Sequence, residues 1–172
     1  MGQFESSEPE PVLNVLSAQP LLPYASGIVF KPHPQSDARR RSAVALIKYL
    51  LAEKKPEVLS AHYRELLEVL LWKITEAESH KHKTRLKSQG ALGCSDKAKL
   101  RHEHVFQRSR MIAALEKAAP HEVDDILKSA IGCTVTVEEH TRLSKFDKEY
   151  GWERYRKAGV VVIDTKTGER VI

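Results

Sequence analysis

The chain has 172 residues, 41% apolar and 30% charged, which suits one soluble domain with a substantial core and excludes a membrane protein, since no long uncharged apolar run is present. Cys94 and Cys133 are too few for a disulfide framework and form no Cys-x-x-Cys pair, so a reducing cytoplasm is the expected compartment. The net charge is +5, but residues 80–110 carry nine basic and two acidic side chains, leaving −2 for the rest of the chain.

Residues 1–35 carry six prolines and read as an extended arm. Its acidic start has neither the positive nor the apolar region of a secretory signal, and Gly2 lacks the basic support of a myristoylation site. Its apolar pieces, residues 12–16 and 28–30, could dock on the domain, on a second copy or on a protein partner. The rest, residues 36–172, reads as a single domain. A helix starts at Ser36 or Asp37, with Ala43, Leu46 and Leu50 at helical spacing, and ends at Lys54-Lys55-Pro56. A second helix runs from Pro56 to Ile74 on a wide apolar stripe. The two predict an antiparallel hairpin over 36–78, in which Tyr63 and Trp72 pack.

Residues 79–95 read as a basic connector loosened by glycines. A short strand follows over 101–106, then helices over 108–117 and 120–130, the second opening on Pro120. Residues 132–137, Gly-Cys-Thr-Val-Thr-Val, are the strongest strand and lead into a helix that starts on Glu138 and Glu139. A short helix over 151–159 ends on glycine, and 160–172 forms a hairpin with Gly168 at the left-handed turn position. In the helix over 151–159 Trp152 and Tyr155 pack, while Arg154 and Arg156 extend the basic surface. The fold class is α+β: a helical hairpin, a small ββα-like module over 79–172 and a carboxyl-terminal β-hairpin.

Localised positive charge is the footprint of a nucleic-acid surface, and Lys81, Lys83, Arg85, Lys87, Lys97, Lys99, Arg101, Arg108 and Arg110 are the expected phosphate contacts. Within this stretch lies Arg101-His102-Glu103-His104-Val105. Strand alternation puts His102 and His104 on one face and Glu103 on the other. The pairs His80/His82 and His102/His104 offer an alternative zinc ligand set. Cys133 reads as a small buried apolar residue and His62 and His121 as surface groups; His140, Glu138 and Glu139 each suit a plain helix start as well as a site. No glycine-rich phosphate loop or dinucleotide fingerprint occurs.

Glu103-His104-Val105, followed downstream by the strand-to-helix step Cys133-Thr-Val-Thr-Val-Glu-Glu-His140, resembles the core of the HNH nucleases, the ββα-metal fold. The resemblance covers residues 102–143. It implies Glu103 and His140 as ligands of a divalent metal, magnesium or manganese with zinc as the alternative, and His104 as the base that activates water. Where that family often has a proline after the central histidine this chain has Gln107, its only asparagine is Asn14, and the stretch between His104 and His140 is long. The implied function is a metal-dependent endonuclease acting on nucleic acid, with DNA the expected substrate. The alternatives are a non-catalytic nucleic-acid-binding or regulatory protein and an interaction or inhibitor module.

Overall fold

The computed structural model describes residues 30–172. Residues 1–29 of the arm expected over 1–35, with the docking segment 12–16 and the start of the segment 28–30, lie outside the described residues. The fold is α+β: helices around one small mixed sheet.

Helices α1 (Ser36–Ala52) and α2 (Ser60–Thr75) form the expected hairpin. Helix α2 begins at Ser60 rather than Pro56, because residues 55–58 turn first, with the amide of Val58 donating to the Lys55 carbonyl at 3.1 Å. The Tyr63 hydroxyl accepts from the Lys55 amide at 2.7 Å and ties that corner to α2. Ile47, Leu67, Leu71 and Ile74 are fully buried between the two helices. The same core takes Met111, Ile112 and Leu115 from α4 (Arg108–Leu115) and Leu127 from α5 (Val123–Lys128). The helix expected from Pro120 is shorter: Glu122 accepts from the Ala119 amide at 2.8 Å, closing a turn around Pro120, and α5 starts one residue later.

Four strands, β1 (Leu86–Ser88), β2 (Leu100–His104), β3 (Gly132–Thr136) and β4 (Val162–Asp164), form a sheet in the order β2-β3-β1-β4. Strand β3 is antiparallel to β2 and parallel to β1, and β1 is antiparallel to β4. Strand β1 corrects the expectation of a basic connector. Its three residues, Leu-Lys-Ser, have no legible periodicity, and they become a strand because β3 and β4 supply partners on both sides. Short α3 (Gln89–Leu92) follows it directly. The closing hairpin forms as expected around Gly168, at φ +77°, and its returning side pairs with β4 through the bridge between Ile163 and Arg170 and through backbone hydrogen bonds of Val162 with Val171 and Ile172 and of Asp164 with Glu169.

Helix α6 (Val137–Ser144) follows β3 without a loop. It starts one residue before the expected Glu138 because Thr136 and Glu139 form a reciprocal capping box. Strands β2 and β3 with α6 thus make a ββα unit in which α4 and α5 are inserted. One sheet face, with Cys133, Val135 and Val162, packs with Leu143 of α6 and Tyr155 of α7 (Trp152–Lys157) in a second core. The other face meets the end of α2. No helix among the described residues is long and apolar enough to cross a membrane.

Candidate functional site around strand β2

Alternation along β2 divides its polar side chains between two environments. On the α6 side the Glu103 carboxylate accepts from His140 Nδ1 at 2.6 Å. Its other oxygen accepts from Arg154 Nη2, which also donates to the His104 carbonyl at 3.2 Å. Arg154 Nη1 reaches Asp147 at 3.1 Å. The Glu103 and Arg154 side chains are only 10% and 5% exposed, whereas that of His140 is 44% exposed. Burial works against the Arg154 charge, but the Glu103 charge and hydrogen bond outweigh it and raise its pKa above the ordinary value. No described residue bonds His140 Nε2, so the imidazole is held at one nitrogen and offered at the other. Behind Glu103 lies Cys133, whose thiol burial pushes far up, so it is an inert core group as expected.

Arg154 corrects the expectation of a surface cation. Gly151, Arg154, Tyr155 and Ala158 are the buried positions of the α7 segment, spaced i, i+3, i+4 and i+7. That spacing was present in the sequence, but an arginine on an apolar stripe declares itself only when a buried carboxylate meets it.

On the opposite face His102 and His104 are buried against α2. Their Nε2 atoms lie 2.9 and 3.3 Å from the Thr75 hydroxyl, and the Trp72 ring lies 5.0 and 5.1 Å from the two imidazoles. Thr75 donates its single proton to the Trp72 carbonyl at 3.0 Å, so both imidazoles present N–H at Nε2. Burial lowers the His102 pKa to about 4 and that of His104 to about 3. The cations Arg108 and Arg154 add to the effect on His104. The structure therefore brings Glu103 and His140 together and places His104 away from both. The base role implied by the family resemblance does not fit an imidazole enclosed by Trp72, Thr75 and His102.

Gly132 allows this packing. A Cβ there would stand 2.8 Å from His102 Cε1 and 2.9 Å from the Thr75 carbonyl oxygen. Gly132→Ala is expected to destabilise the domain by about 1–3 kcal/mol through overpacking, measured by urea denaturation. A change below about 0.5 kcal/mol, the range of an ordinary surface substitution, would contradict this contact.

The basic residues expected to bind phosphate do not form one surface. Arg85 is paired with Asp164, its Nε donating at 2.8 Å. Arg110 donates to the Lys148 carbonyl at 2.7 Å and lies over Tyr150. Arg108 and Lys81 lie 5.2 and 6.0 Å from the Trp72 ring centre. Arg101, Lys97 and Lys99 are exposed, and Arg101 shares the Glu103 face of β2 by alternation. Lys83 and Lys87 line a separate cavity with His33 and His80.

A resident metal at Glu103 and His140 does not fit the donor set in this arrangement. Both carboxylate oxygens are engaged, one by a guanidinium that a cation would have to displace, and among the described residues no third His, Cys, Asp or Glu completes a ligand group. The alternative histidine pairs also assemble no such group among the described residues. His62 and His121 are exposed. Comparison with protein-family models, with curated proteins and with solved structures finds no match to this chain.

Proposed function

We propose that this chain cleaves nucleic-acid phosphodiesters, with His140 as the acid–base group and Glu103 as the carboxylate that orients it. The observation that carries the reading is the 2.6 Å contact between Glu103 and His140 Nδ1, which leaves the exposed imidazole with one available nitrogen. A buried carboxylate on Nδ1–H sets the tautomer, leaves Nε2 free to take a proton, and stabilises the imidazolium that results. The nucleophile's oxygen bonds to phosphorus as its proton passes to Nε2, and the bond to the leaving oxygen breaks as that oxygen takes a proton from water. Arg101, on the Glu103 face of β2 by alternation, would hold phosphate without reading bases.

The ββα unit supports the resemblance to the HNH nucleases, while the working pair differs from the one that family implies. Because the donor set does not fit a resident metal, the reading favours a nucleophile that one base can activate. RNA provides it as the tethered 2′-hydroxyl, so RNA replaces DNA as the favoured substrate.

The test is cleavage of single-stranded RNA and of plasmid DNA by the full chain, with magnesium, with manganese and with EDTA. RNA cleavage that survives EDTA and falls on the order of 10²–10⁴-fold in His140→Ala, with the melting temperature unchanged, is expected. Cleavage that EDTA abolishes would restore the metal to Glu103 and overturn the metal-free mechanism. Binding of either nucleic acid without cleavage under any condition would establish the second reading, a non-catalytic nucleic-acid-binding protein. That reading is favoured by the grip of Arg154 on Glu103, which suits a structural carboxylate.

A further inference from the structure

On the sheet face away from Glu103, a cavity of about 520 Å³ lies between residues 30–34, the loop at 79–84, Lys87 of β1 and Thr165. Its lining includes Lys31, Lys83, Lys87, His33 and His80, and no aspartate or glutamate. None of the three lysines forms an ion pair among the described residues. Lys31 and Lys83 stand exposed at the rim, and Lys87 is half-buried. The Lys87 ammonium is held below its ordinary pKa by burial and then by the charge of Lys83. Like charges gathered in a concave, partly desolvated place destabilise the free protein, and a bound anion reverses that cost.

The imidazoles add donors. The rings of His33 and His80 meet edge to face at 5.6 Å, and His33 Nδ1 accepts from the Gln35 amide at 3.1 Å, which leaves its Nε2–H to donate. Phe30 contributes a partly buried aromatic ring to the same cavity. The volume is that of a small-molecule site, and lysine serves phosphate as a point charge.

We propose that this cavity binds the terminal phosphate of a nucleotide, free or at the 5′ end of a strand, through Lys31, Lys83 and Lys87, with the base against Phe30. The site is separate from the Glu103–His140 pair and does not depend on its activity.

The experiment is calorimetric titration and thermal melting of the full chain with AMP, adenosine, inorganic phosphate and a trinucleotide with and without a 5′-phosphate. AMP is expected to bind and to raise the melting temperature, and adenosine to do neither. Lys87→Gln is expected to weaken AMP binding on the order of tenfold or more while raising the melting temperature of the free protein, since it removes a repelled, desolvated cation. His140→Ala is expected to bind AMP as the wild type does, which separates this site from the proposed chemistry. Tighter binding of the 5′-phosphorylated trinucleotide than of AMP would identify a strand end as the source of the phosphate. Equal AMP affinity in wild type, Lys83→Gln and Lys87→Gln overturns the proposal. So does binding of inorganic phosphate without AMP, or no binding at millimolar AMP.

Discussion

Arg154→Met is expected to cost about 3–5 kcal/mol of stability, because it leaves the Glu103 carboxylate buried without its cation. The Arg154 and Glu103 side chains are 5% and 10% exposed, so water cannot replace the lost partner cheaply. The guanidinium also ties β2 to α7 through the His104 carbonyl and Asp147. A typical domain has only about 5–15 kcal/mol in total, so the variant should unfold at much lower urea concentration or fail to accumulate. The double variant Glu103→Leu, Arg154→Met is expected to recover most of the loss, since it removes both charges together. Urea denaturation of both variants, followed by circular dichroism, checks this. A single variant as stable as the wild type would mean that the pair is solvated rather than buried.

Mild acid is expected to unfold the domain through His102 and His104. Both are neutral in the folded chain, with pKa values of about 4 and about 3 against 6.5 for a free imidazole. The sign follows from linkage: below pH 6.5 the unfolded chain binds protons that the folded one refuses, so stability falls as pH falls. Each such imidazole costs about 1.4 kcal/mol per pH unit, so the pair contributes a slope approaching 2.7 kcal/mol per unit and a loss of roughly 5 kcal/mol by pH 4.5. His82, also lowered by burial first and then by Lys81 and Arg101, acts in the same direction. The measurement is unfolding free energy against pH between 6.5 and 4.5. Replacing His104 by Gln should flatten that slope by about half. A slope that does not change would show that the imidazole is not buried in its neutral form.

The parts of the fold that were legible from the sequence are those where local pattern and tertiary demand agree. The stripes of α1 and α2, the β-branched run of β3 and the acids at the start of α6 each predict the element that forms. Strand β1 is not legible because Leu86-Lys87-Ser88 gains its conformation from strands far away in sequence, and α5 starts later than Pro120 suggests because the Glu122 side chain closes a turn with the Ala119 amide.

The candidate site divides in the same way. Alternation along β2 determined from the sequence alone that His102 and His104 face away from Glu103. Only the tertiary structure decided what each face meets: α6 brings His140 to Glu103, α7 brings Arg154, and α2 encloses His104 with Trp72 and Thr75. A backbone period is a local property of the chain. The partner across a sheet or helix comes from packing between distant segments, and for the polar groups of β2 that packing sets whether a side chain is an exposed acid–base group or a buried, neutral one.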